Sequence, residues 1–243
     1  MQKDDFFLSF ERARPYVACR LIQTGRRMLL PDVPYRRAFA DLDVIPCFFE
    51  RKNGRKLAGP SVTFQRMDCW GIGQEELFKE VFSNMQNLFP PRLYRLDFLM
   101  ESPVSGSVRS VLKHLLAERF PDTEGKILDQ VAQVLAQRLG EKMRERSGLQ
   151  PMWVLGNESW LFGAVSLLYP GVADGFAGQV GRSFYILPSS VHEVILLPEG
   201  GRETKRQLYG MVAHANSRMQ DREKFLSETV YYYDLEKREI RVL

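Results

Sequence analysis

The chain has 243 residues, 44% of them hydrophobic and 26% charged, with 34 basic side chains against 30 acidic ones. That balance excludes intrinsic disorder and leaves enough apolar material for a sizeable core. A net charge of +4 falls short of the concentrated basic face of a dedicated nucleic-acid binder.

The basic clusters at Arg26-Arg27, Arg36-Arg37, between Arg51 and Lys56, and between Lys142 and Arg146 are each broken by acidic or apolar residues, which reads as solvated surface. The three cysteines, Cys19, Cys47 and Cys69, stand far apart with no C-x-x-C pair. All three lie in apolar, strand-like surroundings, so buried thiols in a reducing cytoplasm are expected. The start MQKDDFFLSFERARPY has no apolar signal region. A long uncharged run at residues 160–173 is interrupted by Gly163, Pro170 and Gly171 and is shorter than the ~20 residues a spanning helix needs. A cytoplasmic protein without a membrane segment is expected.

Residues 1–13 read as a frayed helix with Phe6, Phe7 and Phe10 on one side. Residues 15–23 (PYVACRLIQ) suit a short strand. TGRRMLLPDVPYRRAF reads as a loop with one turn of helix, and residues 41–51 (DLDVIPCFFER) as a strand. Pro46 within it favours an edge or a bulge. Asn53-Gly54 marks a hairpin turn, with residues 60–69 expected as the returning strand. Gly73, with Glu76 three residues on, opens a helix whose apolar stripe runs through Leu77, Phe78, Val81, Phe82, Met85, Leu88 and Phe89. Pro90-Pro91 stops it.

Residues 92–103 read as a connector, and 107–120 and 123–146 as an amphipathic helical hairpin. Residues 151–157 and 161–169 read as strands and 171–180 as a helix. The apolar runs 184–187 and 194–197 read as buried strands that must be covered on both faces. Residues 203–219 form a helix in which Gly210 suggests close packing, and 229–243 alternate as a terminal hairpin. The offsets of Leu77, Val81 and Asn84 against Leu208, Val212 and Asn216 hint at an internal duplication. The expected fold class is α+β: two similar sheet-plus-helix halves, 1–103 and 151–243, joined by a helical connector, 104–150, or one compact domain overall.

The polar cluster with chemical potential is Ser189, Ser190, His192 and Glu193, between the two buried strands. A serine, a histidine and a carboxylate are the ingredients of acyl transfer. Adjacent strand residues face opposite ways, however, so His192 and Glu193 cannot both address one ligand from a continuous strand. The position four residues after His192, where the zinc-protease helix motif needs a second histidine, is Leu196. The competing reading is a tight turn with Pro188 setting its φ and the serines satisfying turn amides. Asp41 and Asp43, on one strand face, are candidate metal ligands together with His192. His114 reads as a helix-surface residue and His214 as one flanking the apolar face of its helix. Trp70 with Gly71 and Gly73 reads as a packing corner, and no phosphate-loop motif supports a nucleotide or other cofactor. Tyr231, Tyr232 and Tyr233 fit hairpin alternation better than base stacking.

Several landmarks together resemble one family: L-I-x-T at 21–24, V-P-Y at 33–35, D-L at 41–42 and W-G-I-G-Q-E-E-L at 70–77, then P-M-W-V-L-x-N at 151–157, G-A-V-S-L-L-Y-P at 163–170, L-P-S-S-V-H-E at 187–193 and L-S-E-T-V-Y-Y-Y-D at 226–234. Over residues 15–243, least clearly at 92–148, the chain resembles domain of unknown function 5688, a family of Gram-positive bacteria, and more distantly the YtpQ-like proteins. The resemblance implies an architecture, and a further N-terminal region in some members, but carries over no catalytic residue. The function expected is a non-catalytic binding or regulatory module with a protein partner. The alternative is a hydrolase, metal-dependent or Ser/His-based, around residues 189–193. A third, weaker reading is nucleic-acid binding through the basic clusters, which would show as a steep salt dependence.

Overall fold

The computed structural model describes residues 9–52, 55–95, positions 113, 116, 117 and 119–121, and residues 123–135, 151–219 and 221–243. Among these the chain is an α+β fold with two antiparallel sheets. His114 and the Asn53-Gly54 turn lie outside the described residues, as do most of residues 1–13 and of the helical connector. The part of the connector described as continuous helix is 125–135.

The first sheet is organised by β3 (Leu42–Lys52). β1 (Val17–Gln23) runs along one edge, from Val17 opposite Phe48 to Gln23 opposite Leu42. The other edge is shared by β2 (Arg36–Phe39) at one end and β4 (Arg55–Ser61) at the other. This solves the problem of Pro46, which sits in the central strand and not at an edge. Its carbonyl accepts from Val62 N at 3.0 Å. A strand residue points its N and O the same way, so the missing N–H falls in the gap between β2 and β4, beside the bulge at Cys47 to Phe49. β2 was not expected from sequence. Its residues RRAF carry no strand pattern of their own and become a strand by pairing with Leu42 to Val44.

Residues 60–69 were expected as a strand, but β4 ends at Ser61 and α3 (Phe64–Trp70) follows. (α1 is Phe10–Ala13 and α2 is Thr24–Arg27.) The Thr63 hydroxyl accepts from Arg66 N at 3.2 Å, and Gly71 closes the helix at φ 67°, a left-handed position that suits glycine. Cys69 is therefore exposed on a helix, whereas Cys19 and Cys47 are buried as expected. Trp70 does form a packing corner, with ring centroids 5.4 Å from Phe10 and 6.0 Å from Phe48. α4 (Gln74–Leu88) follows the expected stripe, burying Leu77, Phe78, Val81 and Met85.

The second sheet has the order β10-β9-β7-β8-β6-β5. Its members are β5 (Pro91–Arg95), β6 (Trp153–Asn157), β7 (Phe184–Ser190), β8 (Glu193–Pro198), β9 (Tyr231–Asp234) and β10 (Glu239–Val242). The expected connector at 92–103 thus begins as an edge strand of this sheet, paired with β6. The expected strand at 161–169 is instead a 3-10 helix, Gly163–Leu168. α5 (Val172–Val180) and α6 (Lys205–Ser217) follow, α6 opening with a Thr204–Gln207 capping box.

One cluster of buried side chains draws on both sheets and α4, including Leu21, Val44, Phe78, Val81, Phe184, Ile186 and Val194. Each such side chain is worth about 1.5–3 kcal/mol in water-to-core transfer. The opposite face of β7 and β8 puts Leu187 and Leu197 against Leu208 and Val212 of α6, so both faces are covered. The close packing expected at Gly210 is absent: a Cβ there would meet nothing within 4 Å. Asn84 of α4 donates to Arg14 O and Val17 O, and Asn216 of α6 donates to Ser227 O, so each helix is tied to the chain leading into a strand. Among the described residues no helix is long and apolar enough to cross a membrane.

Candidate functional site

β7 and β8 pair from Phe184 opposite Pro198 to Ser190 opposite Glu193, so only Val191 and His192 lie in the turn. Pro188 lies inside β7 and not in the turn, beyond the three residues that pair with β9, where no ladder bond needs its N–H. Ser189 and Ser190 both donate to Glu193 Oε1, at 2.9 and 2.8 Å, and His192 N donates to the Ser190 hydroxyl at 3.0 Å. The serines thus serve a carboxylate and a turn amide, and among the described residues no hydroxyl is bonded to the imidazole. A Ser–His relay requires the hydroxyl on the histidine ring.

The His192 ring is instead fixed from the side. Phe162 N donates to Nδ1 at 3.2 Å, which places the proton of the neutral ring on Nε2, and the Phe162 ring stacks on it with centroids 6.4 Å apart. The donor sits in a strained corner, with Trp160 at φ 49° and Phe162 at φ 57°. Left-handed backbone at bulky residues costs about 1–3 kcal/mol each and persists only where surroundings over-determine it. Here Asn157, fully buried, clamps Leu161 through both backbone groups, donating to its O at 2.8 Å and accepting from its N at 3.3 Å. Trp160 stacks on Tyr94 at 5.4 Å.

Burial lowers the pKa of His192 from its ordinary 6.5, with Glu193 pulling the other way. The unfolded chain then binds the proton more readily than the folded one. The neutral-ring contribution is complete above about pH 6.5 and is lost as the pH falls from there through the folded-state value. We predict that wild-type stability declines below that pH and that this component vanishes in His192→Gln, which keeps an acceptor for Phe162 N. Urea midpoints at neutral and mildly acidic pH measure it; identical profiles for the two proteins would refute the assignment.

Asp41 and Asp43 go to separate partners. Asp41 precedes β3 and accepts from the hydroxyls of Ser227 at 2.7 Å, Thr229 at 3.2 Å and Tyr231. It therefore joins the turn before β3 to the segment entering β9. Asp43, fully buried, meets Arg27 Nε at 3.2 Å and Arg37 Nε at 3.0 Å. Among the described residues no three His, Cys, Asp or Glu side chains come together as a metal set. The Cys47 thiol is pushed up to about 12 by burial, and Cys19 is also raised, so neither is a thiolate at neutral pH.

The hairpin turn does border an opening. Val191 forms one wall of a cleft of about 220 Å³ that also takes in Arg20, Leu21 and Ile22 of β1, Arg26, Leu29 and Leu30 around α2, and Glu223. Sequence reasoning singled out none of these residues as a site. One signal was present: Arg20 is a charged residue inside the otherwise apolar strand VACRLI. It is half-buried, and its buried Nε has no hydrogen-bond partner among the described residues. Arg26 crosses to Arg222 O, and Val191 N donates to Lys224 O at 2.9 Å, which holds the cleft walls together.

No curated protein and no solved structure matches the chain. The model of a family of unknown function, DUF5688, matches residues 1–235, a span that includes the β7–β8 turn, the Asn157 corner and every wall of the cleft, and the chain belongs to that family.

Proposed function

We propose that the chain is a non-catalytic binding or regulatory module of the cytosol, with its ligand site in the cleft between β1 and the β7–β8 turn. One contrast carries this reading. The polar groups of the β7–β8 hairpin are spent on the fold: Ser189 and Ser190 on Glu193, and His192 on Phe162 N. Arg20, lining the cleft, keeps a buried nitrogen unpartnered among the described residues. An unsatisfied buried donor costs about 1–3 kcal/mol, more for a charged group, so its place beside the cleft calls for an explanation, and binding an anion through the other guanidinium nitrogens supplies one. The buried, free Cys19 and Cys47 support the reducing compartment. The test is treatment with a fluorophosphonate, which labels activated serines. We expect no labelling of Ser189 or Ser190; labelling that disappears in His192→Gln would overturn the proposal in favour of a hydrolase.

A further inference from the structure

We propose that the cleft binds a small organic carboxylate with a short branched aliphatic body. This rests on the reading of the chain as a binding module and names its ligand class. Size comes first: about 220 Å³ lies below the roughly 300 Å³ at which pockets for drug-sized ligands begin, so the occupant is small.

Charge comes second. Arg20 and Arg26 line the cleft against a single carboxylate, Glu223. Glu223 is exposed and forms no ion pair among the described residues, so water screens it. Arg20 likewise has no ion-pair partner among them. A guanidinium offers a planar fork of donors that matches the two oxygens of a carboxylate.

The remaining lining decides between carboxylate and phosphate. It is aliphatic, with Ile22, Leu29 and Leu30 facing the opening. It supplies no hydroxyls for the further oxygens of a phosphate. Leu29 is 79% exposed, a large apolar side chain at the cleft mouth for which the body of a ligand would provide cover.

The experiment is calorimetric titration of the whole chain at low ionic strength with isovalerate, acetate, inorganic phosphate and the neutral amide isovaleramide. We expect isovalerate to saturate one site. Its affinity should fall by about tenfold or more in Arg20→Gln, and likewise in Leu29→Glu, an exposed position whose substitution leaves the fold intact and sets a carboxylate against the ligand. Acetate and the amide should bind by about the same factor more weakly, for want of the body or of the charge. No saturable binding of isovalerate, or full affinity in Leu29→Glu, overturns the inference. Phosphate or the amide binding as tightly as isovalerate also overturns it while leaving the binding-module reading in place. That reading fails separately if the chain hydrolyses para-nitrophenyl isovalerate in a manner abolished by His192→Gln.

Discussion

Gly163→Ala is expected to lower stability by about 4 kcal/mol, beyond the usual range of overpacking. The reason is space and not backbone freedom. A Cβ at position 163 would stand 2.2 Å from His192 O, 2.8 Å from Gly156 Cα and 3.0 Å from Asn157 N. All three are backbone atoms, which cannot rotate away as a side chain can. The corner and the β7–β8 turn would have to separate, breaking the Phe162 to His192 bond and displacing Val191 from the cleft. A chain of this size should lose roughly 8–16 °C in Tm for such a change. Gly178→Ala is the control: it sits in α5 with nothing within 4 Å of its added Cβ, and alanine gains up to about 1 kcal/mol there over glycine. Thermal unfolding of both variants measures the contrast. A Gly163→Ala protein as stable as wild type would mean that the turn does not lie against the corner.

Asp41→Ala is expected to cost about 3 kcal/mol. The side chain accepts from three hydroxyls, each reaching it from 186 to 190 residues along the chain. Charge-assisted bonds contribute roughly 1.5–3 kcal/mol each, and a buried donor left without an acceptor adds its own penalty. Ser227 and Tyr231 are buried, and the Tyr231 hydroxyl is held firmly protonated, first by burial and then by its bond to Asp41. Thr229 and Ser227 keep one local bond, from Thr229 N to the Ser227 hydroxyl at 2.8 Å, so the loss is not the sum of the three. A double-mutant cycle separates the terms. Tyr231→Phe should cost about 1 kcal/mol in the wild type and close to nothing once Asp41 is alanine, because the hydroxyl is then the liability. Denaturant titration of the four proteins gives the coupling; full additivity would show that the Tyr231–Asp41 bond contributes nothing. The same segment leads back to Arg222–Lys224 at the cleft wall, so Asp41→Ala should also weaken any ligand held there.

These two positions show where sequence reading succeeds and where it stops. Asp41 was read as part of a strand, on one face with Asp43, and a metal site was the chemistry considered, whereas the strand begins at Leu42. The actual partners of Asp41 lie at Ser227, Thr229 and Tyr231, a separation that no local pattern reports. Gly163 lay inside a run read as a strand. LFGAVSLLY has the composition of one, but a strand would need a free edge and room for side chains on both faces. The backbone of His192 occupies that room, and the segment coils into a 3-10 helix. Residues 64–70 failed differently. The cap signals, Thr63 and Gly71, were present locally, but the Asn53-Gly54 turn called for a returning strand, and residues 60–69 were assigned to it.

What the amino-acid sequence by itself determined was whatever a short window can enforce. The runs at 184–187 and 194–197 are buried strands because four consecutive apolar residues need cover on both faces, and α4 stops where Pro90-Pro91 removes its donors. The α+β class and the alternation of Tyr231 to Tyr233, buried, half-buried and buried, follow from the same local rules. The tertiary structure alone decided which polar groups meet. It paired Asp43 with Arg27 and Arg37, spent Ser189 and Ser190 on Glu193, and set His192 against Phe162 N. It also left Arg20 beside an open cleft. Hydrogen bonds and ion pairs act over a few ångströms in space, and two antiparallel sheets bring together residues that the chain holds far apart, so the partner of a buried charge is a property of the fold.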